Sequence, residues 1–167
     1  MLPIVLERTA ISVGLAGRGE AMERRRQWLL DAGVVPVTVA LDGGDGLPEL
    51  NLLFVAGTSA QEAEPLTRRA RASGTLVNVE DVSALCDFHV PAIVRRGDLV
   101  ISVSTGGRAP GLAKLLREWL SGRFGPEWGR YLDQASDARA AWRAEGADAP
   151  ELSRRTRALA AARQCLS

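Results

Sequence analysis

The sequence predicts an α/β fold: a parallel sheet followed by a helical region. Three observations carry this. Short apolar runs alternate with amphipathic helical stretches over roughly the first two thirds of the chain. Glycines punctuate the junctions. Beyond Gly122 strand-like runs cease, and FGPEWGRYLDQASDARAAWRAEGADAPELSRRTRALAAARQCLS reads as two or three amphipathic helices broken at 146–150.

Taken in order, AISVGLA (10–16) is a buried strand and Gly17-Arg18-Gly19 a turn. EAMERRRQWLLDA (20–32) has helical spacing through Met22, Trp28, Leu29 and Ala32, and Gly33 stops it. Residues 34–41 form a second strand, where Pro36 favours an edge or early position. DGGDGLP (42–48) is a loop and LNLLFVA (50–56) a third strand. Residues 61–73 form a helix ending at Gly74, and 75–79 and 99–104 are two more strands. Residues 109–119 form a helix with Pro110 tolerated in its first turn. The expected parallel sheet spans residues 10–105, with no strand between Asp42 and Glu49. Domain boundaries follow as 1–108 for the sheet domain and 109–167 for the helical region. There Trp128, Tyr131, Leu132, Ala135 and Trp142 share one broad face, and an aromatic face of that size marks an interface, here between two copies of the chain.

Composition narrows the function classes. At 167 residues the chain is one domain, or one domain with a helical appendage. Its hydrophobic content of 46% is ordinary for a folded protein. Net charge is +1, from 21 basic and 20 acidic residues, so no electrostatic argument points to nucleic acid or membrane. No apolar run approaches the roughly 20 residues of a spanning helix. MLPIVLERTAIS lacks the basic region and apolar length of a signal peptide, and a cytoplasmic location is expected. Cys86 and Cys165 are too few for a disulfide framework, and Cys86 reads as a small buried residue. Lys114 is the only lysine, and the guanidinium groups that replace lysine elsewhere suit carboxylate recognition.

Several motifs carry chemistry. Gly17-Arg18-Gly19 follows a strand and opens a helix, where a dinucleotide fold places its pyrophosphate on free helix N–H groups. A plain tight turn is the other reading, and Met22 stands where that fingerprint wants a small residue. Asp42, at the end of the second strand, is placed to bond a ribose hydroxyl, or is one more Asp in a Gly-rich loop. Asp81 ends the VNVED strand, at the sheet edge where open α/β folds bind ligands and where a carboxylate can serve as general base. Its alternative is a turn or cap residue, which is also the reading for Asp87. Ser104-Thr105-Gly106-Gly107, with Arg108 beside it, combines hydroxyls, glycines and a helix start into an anion nest. Glycines supplying positive φ are the plainer account. His89, the only histidine, reads as partly buried, and no His, Cys and carboxylate cluster has metal-site spacing, so no resident metal is expected. Arg24 to Arg26, Arg68, Arg69 and Arg71 read as solvated helix faces, and Arg95 and Arg96 as turn residues.

Taken together these residues resemble the precorrin-2 dehydrogenase/sirohydrochlorin ferrochelatase family, the N-terminal module of siroheme synthases. The likeness is densest in VNVEDVSALCDFHVPAIVRRGDLVISVSTGGRAPGLAKLLRE. That stretch is similar to the family's VNV-x-D strand end, its C/S-x-F-x-x-PA segment and its S-T/S-GG-x-[SA]-P-x-LA-x-x-LR helix start. AGRGEAMERRRQWLLDAG is similar to the Gly-rich GGG-E/D-VA-x-RK turn, and MLPIVLE to the family's opening. The resemblance covers most of residues 1–122 and fades in the tail.

It implies a Rossmann-like sheet domain, a homodimer through the helical region, a tetrapyrrole substrate and NAD as cofactor. Asp81 would be the catalytic residue. Gly17, Gly19, Glu20, Ala21 and Asp42 would hold the cofactor. Asn78, Ser104, Thr105, Gly106, Gly107 and Arg108 would hold the substrate. Precorrin-2 would be oxidised to sirohydrochlorin, and Fe²⁺ would be a second substrate in members that also insert iron. Two departures from the pattern bear on the cofactor. Arg18 and Met22 replace small residues in the Gly-rich turn: Arg18 would either crowd the pyrophosphate or reach a phosphate, and Met22 would push the helix from the first strand. The connection between Val39 and Leu52 is short and lacks a helix and an edge strand. Two other readings stay open: a tetrapyrrole- or metal-binding module without catalysis, and a chelatase without NAD activity.

Overall fold

A computed structural model describes residues 2–162 except 43 and 45, so Cys165 and the end of the tail lie outside the described residues. The chain divides into two compact units, Met1–Val90 and Pro91–Ser167.

The first unit is the expected parallel sheet. Strands β1 (Val13–Gly17), β2 (Val37–Val39), β3 (Leu52–Ala56) and β4 (Leu76–Val79) lie in the order β2-β1-β3-β4. All three pairings are parallel. Helix α1 (Gly19–Asp31) joins β1 to β2, and α2 (Ala60–Ala72) joins β3 to β4. β3 is buried along its whole length, which is why it reads as an unbroken apolar run. On one face α1 presents Met22 and Leu29 to Val13, Leu15, Leu52 and Phe54. Met22 is thus a core residue between helix and sheet.

The opposite face explains the short connection. A parallel crossover usually carries a helix, but no described residue between Asp42 and Glu49 is helix or strand. The connecting segment instead packs its own leucines on the sheet. Leu50 joins Val39 and Leu53 in the core under α2, with Leu41 and Leu47 against it. Gly14 makes this possible, because a Cβ there would lie 2.5 Å from the Leu50 side chain. Irregular chain does the covering that a helix would do.

The second unit corrects the sequence reading. Residues Leu99–Val103 form a strand, β6, but it does not extend the parallel sheet. It pairs antiparallel with β5 (Ala92–Arg96) in a separate hairpin. Arg95 and Arg96, expected in a turn, are therefore strand residues, and Gly97 at φ +59° makes the turn. The Arg96 guanidinium reaches across to the end of the next helix, bonding the carbonyls of Phe124 (2.6 Å) and Ser121 (3.0 Å).

Helices α3 (Pro110–Arg123), α4 (Glu127–Ala144) and α5 (Ala149–Ala162) complete this unit. The aromatic tail face is largely engaged inside the unit. Trp128 packs between Phe124 and Tyr131, and Trp142 lies under the Arg155 guanidinium. The open apolar face is on α3 instead. Leu112, Leu115, Leu116 and Trp119, at helical spacing, are all exposed, Leu115 and Trp119 by 62% and 60%.

Candidate functional site

The carboxyl ends of β1, β3 and β4 converge where two loops meet backbone to backbone. The Arg18 N–H donates to the Ala56 carbonyl at 3.2 Å. A Cβ on Gly17 would lie 1.8 Å from the Ala56 oxygen, and one on Gly57 2.0 Å from the Arg18 oxygen. Both positions have positive φ, so glycine is required twice over. Arg18 is the extended N-cap of α1 and supplies no side-chain cap. The first N–H groups of α1 are thus left to an external acceptor.

The Arg18 side chain turns instead to α2 and forms an ion pair with Glu62. Glu62 is itself fixed by a capping box. Its Oε2 accepts from the Ser59 N–H and hydroxyl, each at 2.9 Å. The Ser59 backbone bond, then Arg18, then the Ser59 hydroxyl hold the Glu62 carboxyl down at about 2.

Two open clefts flank this pair. The one beside β2, about 310 Å³, is lined by Arg18, Asp42, Glu62 and Arg69 among others. Asp42 is exposed there, its carboxylate accepting from the Gly44 N–H at 3.0 Å while Arg69 donates to its carbonyl. The cleft beside β3 and β4, about 320 Å³, is lined by Ala21, Thr58, Glu80 and Asp81, again with Arg18 and Glu62. Thr58 and Glu80 line it, and their Oγ1 and Oε2 atoms are buried without a hydrogen-bond partner among the described residues. Neither residue stood out in the sequence, since a Thr and a Glu at strand ends have no distinguishing pattern. Glu20, by contrast, is fully exposed at the start of α1 and, among the described residues, pairs only with Arg24, at 4.0 Å. Gly19, at φ +65°, opens onto free space.

Asp81 follows β4 in a turn and is the one described non-glycine residue with positive φ, at +62°. Asp tolerates this left-handed region better than most residues. The turn is held from behind. The Cys86 sulfur accepts from the Val79 N–H at 3.3 Å and lies 3.2 Å from the Val79 carbonyl and 3.4 Å from that of Val82. Cys86 is therefore half-buried and bonded, more than a small filler. Asp87 likewise does more than make a turn. It accepts from the Val77 N–H and pairs with Arg71 at 2.9 Å, tying α2 to β4. Burial alone would raise its pKa, but the bonds from Arg71 and Val77 leave it lowered.

Other expectations are revised. Asn78, expected on the substrate side, is buried and gives its amide to the Phe88 carbonyl at 2.9 Å, which makes it a strut between β4 and the next loop. His89 is exposed rather than partly buried. Arg25 lies over the rings of Trp28 and Phe54, and burial lowers its pKa, so it is not a solvated-face residue.

The second unit carries the other predicted motif. Gly106 and Gly107 both adopt left-handed φ, at +68° and +74°. Ser104 Oγ accepts from the Gly106 N–H at 3.3 Å, and Thr105 Oγ1 accepts from the Ala109 N–H at 3.3 Å. The hydroxyls therefore shape the turn that leads into α3, and Arg108 is exposed beside it.

Among the described residues no group of three or more His, Cys, Asp or Glu is arranged to hold a metal, and no helix is long and apolar enough to cross a membrane.

Known proteins match this arrangement in three ways. Residues 40–92 match a family described as putative NAD(P)-binding, and residues 96–121 one described as sirohaem biosynthesis protein central. A siroheme synthase from Ectopseudomonas mendocina is 36% identical over 147 residues, covering 74% of this chain and 32% of the relative. One from Methylococcus capsulatus is 30% identical over 159 residues, covering 83% and 34%. The chain thus spans about a third of the length of these relatives. Among solved structures, SirC, a precorrin-2 dehydrogenase, superposes with a TM-score of 0.72 at 19% identity, covering 100% of this chain and 93% of that one. That likeness shows a common fold.

Proposed function

We propose, from its likeness to siroheme synthases over about a third of their length, that the chain is an NAD-dependent precorrin-2 dehydrogenase. The observation that carries the proposal is the position of Asp81. It stands at the carboxyl end of a parallel strand, in a left-handed turn, lining the cleft that also contains the Gly-rich loop.

The residues present fit a dinucleotide. Gly17 and Gly57 keep the floor of the site free of side chains. The uncapped start of α1 offers N–H groups to a pyrophosphate. Asp42 on the β2 side suits a ribose hydroxyl, and the orphaned Thr58 and Glu80 oxygens on the other side suit hydroxyl or amide donors. When bound, NAD⁺ supplies the hydride acceptor. Asp81 takes up the proton that the substrate releases as two electrons leave it. In the second unit, the Gly-rich turn at 104–107 and Arg108 offer N–H groups and a guanidinium that suit carboxylates such as those of a tetrapyrrole. Fe²⁺ is proposed as substrate of a second step, in which Asp81 removes pyrrole protons.

The test is anaerobic incubation of the pure protein with precorrin-2 and NAD⁺, following NADH fluorescence and the absorption of the product. Stoichiometric NADH and sirohydrochlorin are expected. Substrate binding without either product would favour the non-catalytic binding module.

A homodimer is proposed as well, with the interface on α3. The eighteen-residue α4 buries none of its residues, and the exposed Leu112, Leu115, Leu116 and Trp119 stripe is apolar enough to need covering. A second copy of the chain would cover it without leaving an apolar face open on either molecule. Leu115→Glu combined with Trp119→Glu is expected to convert a dimer into a monomer by light scattering at micromolar concentration. A monomeric wild-type protein would remove the proposal.

A further inference from the structure

We propose that the Arg18–Glu62 ion pair is a clasp over the Gly-rich turn which the pyrophosphate of a dinucleotide must open, Arg18 changing partner from carboxylate to phosphate. This rests on the reading that the first unit binds NAD. Glu62 then sets cofactor affinity by competing for the Arg18 guanidinium.

The argument begins with placement. Arg18 and Glu62 are the two residues that line both clefts. A dinucleotide lies across the carboxyl edge of such a sheet with its pyrophosphate at the first strand–helix turn and one ribose near the end of the second strand. With the strand order β2-β1-β3-β4, one half of the ligand falls in the Asp42 cleft and the other in the Asp81 cleft. The pyrophosphate has to pass between them, where the clasp lies.

The two partners are held differently. Glu62 is anchored by two donors from Ser59, so it stays with α2. Arg18 is a long side chain on the N-cap of α1 and makes no capping bond to its own helix. Its side chain is 61% exposed and that of Glu62 41%, and pairs this exposed are weak. A doubly charged pyrophosphate that also collects the α1 N–H groups offers the guanidinium a better, bidentate partner. Glu62 remains ionised at any working pH, so protonation does not open the clasp. Of the two sequence readings of Arg18, crowding the turn or reaching a phosphate, the clasp takes the second.

The experiment is calorimetric titration of NAD⁺, ADP and adenosine into four proteins: wild type, Glu62→Gln, Arg18→Ala and the double variant. Glutamine still reaches back in a capping box, so α2 keeps its start. Glu62→Gln is expected to tighten NAD⁺ and ADP about two- to fivefold, the range of an exposed ion pair. Adenosine, which has no phosphate, should not respond. Arg18→Ala should weaken NAD⁺ and ADP, and Glu62→Gln should give no gain in the Arg18→Ala background. Unchanged affinities in Glu62→Gln would overturn the clasp. So would a gain that persists without Arg18, since Glu62 would then merely repel phosphate, and so would absence of NAD⁺ and ADP binding in all four proteins. Wild-type turnover of precorrin-2 with NAD⁺, measured in parallel, separates the two levels. Turnover without a Glu62→Gln effect removes the clasp and leaves the cofactor, whereas absence of both binding and turnover removes both.

Discussion

Asp81→Asn is expected to lower precorrin-2 oxidation by about 10² to 10⁴, the usual contribution of a positioned general base. The amide cannot take up a proton, and its volume and hydrogen-bonding reach are almost those of the acid. Backbone geometry makes this variant the informative one. Asp81 sits at φ +62°, where Asn is as comfortable as Asp, so the turn survives. Alanine would add about 1–2 kcal/mol of left-handed strain and confuse a chemical effect with a structural one. The checks are turnover under saturating substrate and NAD⁺, and a thermal melt that matches wild type. Wild-type turnover with an unchanged melt would take Asp81 out of the mechanism.

Gly17→Ala carries the largest expected effect on stability. The added methyl would lie 1.8 Å from the Ala56 carbonyl oxygen and 2.8 Å from its carbon, both backbone atoms at the centre of the sheet. Neither can withdraw without breaking the β1–β3 pairing at Gly17↔Ala56. Strain at φ +133° adds to the overlap, and together they cost about 2–6 kcal/mol. That is a large share of the stability of a small domain. Gly19→Ala is the control. It also has positive φ, +65°, but no atom lies within 4 Å of the added methyl, so only about 1–2 kcal/mol of strain is expected. Chemical denaturation of the two variants should separate them clearly. Equal losses would show that the loops part more easily than their backbone contact implies.

The sequence by itself determined what depends on local period. The apolar runs at β1, β3 and β4 and the helical spacing of α1 and α2 marked five elements of the first unit, because burial writes its pattern directly into neighbouring residues. The loop after Asp42, with no strand up to Glu49 among the described residues, was legible from its glycines, and Asp81 could be placed at a strand end once VNVED was read as a strand. The tertiary structure decided what depends on residues far apart. AIVRR does not look like a strand until β6 pairs with it and Arg96 finds the carbonyls of Ser121 and Phe124. Asn78 looks available for a ligand until the Phe88 carbonyl takes its amide. Leu50 became a core residue only where Gly14 left room for it. Arg18 reads as an obstruction or as a phosphate ligand, and nothing in the sequence names Glu62, 44 positions away, as its partner. In each case the deciding term is a contact between groups that only folding brings together, and no local spacing encodes that partner.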